Sequence, residues 1–214
     1  MAIESLLHTL LNNIINLQIR RAHNSNPLTG LPENLVIENR LKELVEAKEA
    51  FAVMYLDLDN FKAYNDKYGF ERGDKVLLLT SQVLNRSIGK AGSTDDFWGH
   101  IGGDDFIIIT HPEYVQAISD TIIELFDREI KSQYHPDDLV KGYLEVKNRK
   151  GQLEQFSIVS ISIAVVINRL HLFNNYLEIA EVATDLKKLA KQRAGSCVVY
   201  DRRNNGNQTN SQII

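Results

Sequence analysis

Phe51-Ala52-Val53-Met54-Tyr55-Leu56, running into Asp57-Leu58-Asp59, decides the fold. Six apolar residues, rich in aromatic and β-branched types, are too few for an ordinary helix. They read as a strand buried on both faces. The run ends in two aspartates two residues apart, and strand alternation turns both toward one face. Next, a short helix from Phe61 to Tyr68 stops at Gly69. A second helix is expected to start near Asp74, a residue suited to an N-cap. Residues 94–110 read as a hairpin turning at Gly102-Gly103-Asp104.

Outward from this centre, Asn24 to Pro32 is a loop and Asn34 to Glu49 a helix. A helix is expected from Pro112 to Lys131 and a peripheral polar hairpin over 133–155. A strand follows from Phe156 to Ile167, a helix from Tyr176 to Arg193, and a last strand from Cys197 to Tyr200. Residues 3–19 carry apolar side chains at three- and four-residue steps, as an amphipathic helix does. Two uses stay open for it: packing on its own domain, or pairing with a second copy. The tail from Asn204 is too polar to fold. The expected organisation is a helix over 1–23, a domain over 24–203 and a disordered tail over 204–214. The fold class is α/β (α+β), a mixed central sheet flanked by helices.

Lysine plus arginine number 24 against 28 aspartate plus glutamate, a net charge of −4 over 214 residues. That balance argues against a nucleic-acid coat, which needs a basic surplus. The single cysteine, Cys197, excludes an intrachain disulfide and reads as a small strand residue. No apolar run approaches the ~20 residues of a membrane span. The N-terminus lacks the basic stretch and cleavage site of a signal peptide. A cytoplasmic setting is expected.

The chemistry lies in two acidic pairs, Asp57 with Asp59 and Asp104 with Asp105. Any single aspartate in a turn is most simply a solvated one. Two pairs flanking apolar strands instead suit a hard cation, Mg²⁺ (or Mn²⁺), which takes oxygen ligands and bridges to phosphates.

Asp57-Leu58-Asp59-Asn60-Phe61-Lys62-Ala63-Tyr64-Asn65-Asp66-Lys67-Tyr68-Gly69, then Gly73-Asp74, then Gly102-Gly103-Asp104-Asp105-Phe106 resemble the signature of the GGDEF family, the diguanylate cyclases. Pro27-Leu28-Thr29-Gly30-Leu31-Pro32, Ser160 to Ala164, and Ala190-Lys191 with Gly195 resemble other motifs of that family. The resemblance runs from about Asn26 to Tyr200. It implies a fold akin to nucleotidyl cyclase and polymerase palm domains. It also implies a homodimer that condenses two GTP into cyclic di-GMP and releases pyrophosphate. An upstream sensory domain is a further partner the family implies. By motif position, Asp57, the Leu58 carbonyl and Asp105 would hold the metal, with Asp104 as a second acidic group. Phe61 and Lys62 would offer backbone amides to phosphates, and Lys191 a charge. Gly102 and Gly103 would let substrate approach closely, and Asn65 and Asp74 would read guanine.

The chain departs from the family pattern at five places. Asp105 stands for a Glu, one methylene shorter. Ser93 stands where the product-inhibition site has Arg, with Asp96 kept. After Ala190-Lys191 the chain is one residue longer, and Ser196 replaces an Arg for which Arg193 is a potential substitute. The opening Asp is Asn26, followed later by Glu33-Asn34. His100 stands where Arg is common and reads as structural. The leading functional expectation is a diguanylate cyclase. A GTP-binding regulatory domain without turnover is the alternative that Asp105 and Ser196 suggest. A purely structural dimer module is a third, against which Asn65 and Asp74 speak.

Overall fold

The computed structural model describes residues 24–148, 150–169 and 173–201. The helix expected over 3–19 and the tail from 204 lie outside these residues. The described residues hold a five-stranded sheet in the order β2-β3-β1-β6-β7. The strands are β1 Phe51–Asp59, β2 Phe97–Gly102, β3 Asp105–Thr110, β6 Ser160–Asn168 and β7 Cys197–Tyr200. β1 runs antiparallel to β3 and β6, its neighbours on either side, while β7 joins β6 in parallel. The sheet is therefore mixed, as expected. A separate hairpin pairs β4 Tyr143–Lys147 with β5 Leu153–Ser157.

Strand alternation divides the sheet into two faces. Ala52, Met54, Leu56 and Leu58 share one with Phe106, Ile108, Ile161 and Ile163. Helices α3 (Phe70–Ala91) and α4 (Val115–Glu129) cover that face through Val76, Leu84, Ile118, Ile122 and Phe126. Phe51, Val53, Ile107, Ile109, Ala164 and Val166 form the other. It lies under α1 (Asn34–Ala47) and α6 (Tyr176–Ala190), which supply Ile37, Leu41, Ile179, Val182 and Leu186. Asp57, Asp59 and Asp105 share the parity of Phe51, Val53 and Ile107. They therefore face the α6 side of the sheet.

Between β1 and α3 lies α2 (Phe61–Tyr68). The following helix starts at Phe70 and not near Asp74 as expected. Gly69, at φ 84°, reverses the chain in one residue, so the helix needs no aspartate cap and Asp74 falls in its second turn. The expected helix from Pro112 starts at Val115 and passes into a 3₁₀ turn at Ile130–Gln133. The helix expected to reach Arg193 ends at Ala190, and the one expected to reach Glu49 ends at Ala47 with Lys48 left-handed. The segment 133–155 contains a hairpin strand as expected, preceded by a short helix α5 (Pro136–Lys141).

The strand expected over 156–167 is two strands, split around Val159. The Val159 amide donates to the Tyr134 hydroxyl at 2.8 Å and not to a ladder partner, so the chain leaves one sheet before entering the next. Tyr134 packs with Tyr64 and Tyr68, ring centroids 5.1 and 5.7 Å away. Tyr134→Phe would leave the buried Val159 N–H without an acceptor. A loss of about 1–2 kcal/mol is expected in urea unfolding, and an unchanged midpoint would refute it.

Candidate functional site

In the register of β1 and β3, Asp57 stands directly opposite Asp105. Asp104 occupies the turn just before β3. One carboxylate oxygen from each of Asp57, Asp104 and Asp105 lies within 4.8 Å of the others. The short side chain of Asp105 thus reaches the cluster, because its backbone starts opposite Asp57. Like charges opposed across a ladder are destabilising, and two cations offset them here. Lys187, in the last turn of α6, sets its Nζ 2.7 Å from Asp57 Oδ2 and also bonds Asp105 Oδ1. Lys191, one turn on, lies 2.6 Å from Asp57 Oδ1.

The carboxylates respond differently to this setting. Burial works against the charged form of Asp57, yet hydrogen bonds and attraction from Lys187 and Lys191 hold its pKa below the ordinary value. Burial, and then the Asp57 charge, raises Asp104. Burial also raises Asp105 despite Lys187. Burial opposes the charge on Lys187, but Asp105 and Asp57 outweigh it and raise its pKa. Asp59 lies on the same face with a different task. Its Oδ2 accepts from the Ser160 and Ser162 hydroxyls at 3.0 and 2.8 Å, tying β1 to β6. Leu58 is 1% exposed, its side chain packed in the core.

The turn that presents Asp104 needs its glycines. Gly102 and Gly103 have φ of 143° and 59°, which a side chain would strain. His100 braces the turn from beneath. Its Nε2 donates to the Gly103 carbonyl at 3.0 Å, its ring stacks on Phe106, and its Nδ1 lies 3.1 Å from Thr29 Oγ1. The residue is 2% exposed, in keeping with a structural role.

A second group lies on α2 and α3. Phe61 is packed in the core, while Lys62 is exposed. Asn65 lies against Gly73, where an added Cβ would fall 1.9 Å from Asn65 Oδ1. That oxygen is buried without a hydrogen-bond partner. Asp74, next to Gly73 in sequence, is exposed and has no capping duty.

The departures have local explanations. Asn26 Oδ1 accepts from the amides of Leu28 and Thr29, as an aspartate would, while its amide donates to Glu33 at 3.2 Å. An aspartate at 26 would instead repel Glu33, so the two substitutions suit each other. Ser196 Oγ donates to Asp127 at 2.5 Å and accepts the Ile161 amide at 3.0 Å, joining β6 to α4. Arg193 does not join the acidic cluster: its guanidinium donates to the Val198 carbonyl at 3.3 Å. Asp96 accepts from the Ser93 amide and hydroxyl at 2.8 and 3.2 Å. Burial pushes the Cys197 thiol up, which suits a packed strand residue. Sequence reasoning missed Lys187. Its spacing of four from Lys191 places both on one helix face and was the available signal.

Fold and site together define an α+β domain with a carboxylate cluster at one end of its central strands. The family described as "Diguanylate cyclase, GGDEF domain" matches residues 23–193, and the chain belongs to the GGDEF family. The diguanylate cyclase DgcS of Shewanella oneidensis is 35% identical over 108 residues, 49% of this chain and 35% of that protein. The chain spans under half the length of the curated relatives it matches. The fold is shared with the diguanylate cyclase SiaD of Pseudomonas aeruginosa, solved with its activator SiaC. The TM-score is 0.64 at 22% identity, covering 94% of this chain and 70% of that one. It is also shared with the GGDEF domain of DgcB from Caulobacter crescentus, solved with c-di-GMP. There the TM-score is 0.59 at 21% identity, covering 83% and 95%. Among the described residues, no helix is long and apolar enough to cross a membrane.

Proposed function

We propose that the domain is a diguanylate cyclase, binding GTP with Mg²⁺ (or Mn²⁺) and joining two GTP into cyclic di-GMP. The observation that carries this is the convergence of Asp57, Asp104 and Asp105, with Lys191 alongside. Three carboxylate oxygens within one ion's span suit a divalent cation. When bound, such an ion supplies charge to the α-phosphate and lowers the barrier to hydroxyl attack. Asp57, the Leu58 carbonyl and Asp105 hold it, and Lys191 neutralises phosphate charge. In two like steps, the 3′-oxygen of each GTP forms a bond to the α-phosphorus of the other. The α–β phosphoanhydride breaks, and pyrophosphate leaves with its electron pair. Asp104, its pKa raised by burial and by the Asp57 charge, takes the hydroxyl proton. The amides opening α2, at Phe61 and Lys62, point positive dipole ends at phosphate. Asn65 and Asp74 select guanine, and Gly102 and Gly103 leave room for the ribose. Two copies of the chain are needed, each presenting one GTP.

Purified protein incubated with GTP and Mg²⁺ should yield cyclic di-GMP by chromatography, together with pyrophosphate. GTP bound but unconsumed would instead establish the regulatory reading. That reading draws support from Lys187 holding Asp105.

Product inhibition through the usual place is not expected. Both oxygens of Asp96 are engaged by the Ser93 turn. The adjoining cleft of about 280 Å³ sets Glu49, Asp95, Asp96 and Glu113 against Arg40 and His111, with His111 3.3 Å from Glu113. Arg40 itself faces Glu43 at 3.5 Å. Such a surface repels a double phosphate. Micromolar cyclic di-GMP should leave the initial rate unchanged, and inhibition that an Asp96 variant relieves would refute this.

A further inference from the structure

We propose that Lys187 is a built-in counter-ion at the metal position, and that a divalent cation enters only by displacing it. The inference rests on the metal-site reading above and concerns a residue that reading does not use. The Lys187 ammonium bonds one oxygen of Asp57 and one of Asp105, two of the three carboxylates that would ligate the ion. Its side chain is 25% exposed, whereas the Lys191 side chain is 45% exposed. Lys191 touches only Asp57 among these carboxylates, so it can swing toward a phosphate and leave the pair intact. Lys187 sits between the two opposed strands, where a metal would bridge them.

The placement has a physical cause. Asp57 and Asp105 are fixed opposite each other by the ladder, and Asp57 is 2% exposed. Without a cation, two carboxylates so placed repel each other in a poorly solvated setting. Lys187 projects from the C-terminal turn of α6, where the helix dipole also favours a cation. An ammonium carries one charge and donates hydrogen bonds, while Mg²⁺ carries two and requires carboxylate oxygens as direct ligands. The ammonium lies between Asp57 and Asp105, and a dication brought into the same gap would be repelled by it, so the lysine competes with the metal for that position. The metal-free domain is stabilised, and its affinity for free metal is lowered.

The test is Mn²⁺ binding to the full chain without nucleotide, followed by electron paramagnetic resonance and calorimetry, in wild type and Lys187→Met. Methionine keeps the helix-forming, unbranched side chain and removes the charge. The variant should bind Mn²⁺ at least tenfold more tightly. Equal or weaker binding by the variant overturns the role of Lys187 while leaving the metal site standing. Failure of both proteins to bind Mn²⁺ overturns the metal site and the lysine's role with it. A second measurement uses wild type alone, in case the variant folds poorly. Amine acylation followed by mass spectrometry should show Lys187 labelling rise on adding Mn²⁺, relative to exposed Lys75 and Lys188. Unchanged Lys187 labelling at saturating Mn²⁺ would equally overturn the proposal.

Discussion

Asp57→Asn is expected to cut cyclic di-GMP formation by at least ~10²-fold and to remove measurable Mn²⁺ binding. The substitution keeps the side chain's size but ends its negative charge, and Asp57 alone among the three acids carries both lysines. Stability should fall too. Lys191 loses its carboxylate partner and Lys187 keeps only Asp105, although both ammonium groups can turn toward water. The loss is therefore about 1–2 kcal/mol, below that of a sealed ion pair. In a domain of this size that lowers the melting temperature by roughly 2–8 °C.

The pH dependence has a definite sign. The folded pKa of Asp57 is depressed, so its contribution is present above the unfolded value of about 3.9 and fades as pH falls through the folded value. Urea unfolding in chelator should separate wild type from the variant at neutral pH, and the gap should close toward pH 3. A variant as stable as wild type at neutral pH would show that the lysines do not depend on Asp57.

Asp74→Ala should remove the preference for GTP over ATP, a change of about 1–3 kcal/mol in discrimination. A carboxylate accepts two hydrogen bonds from N1–H and the 2-amino group of guanine, donors that adenine lacks there. The structure leaves Asp74 exposed and free of capping. It also leaves Asn65 Oδ1 buried against Gly73 without a partner. Gly73→Ala tests the same arrangement without touching either polar group. The new methyl would force Asn65 aside, since its Cβ would lie 1.9 Å from Oδ1. Calorimetry with non-hydrolysable GTP and ATP analogues checks both variants. If Asp74→Ala retains the full preference, guanine is read elsewhere.

The architecture was legible along the chain because its signals are local. The apolar run from Phe51 to Leu56, the glycines at 69, 102 and 103, and the polar stretch before Phe156 each act over a few residues. The acidic residues were legible too: alternation turned Asp57 and Asp59 to one face and a tight turn presented Asp104 and Asp105, while the grouping of Asp57 with Asp104 and Asp105 came from the family resemblance. Helix limits were less so. Asp74 resembles a cap until Gly69 is seen reversing the chain alone at φ 84°. The split strand around Val159 depends on a hydroxyl from Tyr134, 25 residues away.

The charges on the carboxylates belong to the same class of non-local fact. Composition and spacing mark Asp57 and Asp105 as candidate cation ligands but do not set them opposite each other or bring Lys187 and Lys191 to them. Only when β1 pairs with β3 and α6 lies across that face do two acids become opposed and two ammonium groups fall between them. The strand ladder fixes the first relation and helix packing the second. Neither relation is encoded within any one stretch of chain: the opposed acids are far apart along it, and Lys187 is 82 residues from Asp105.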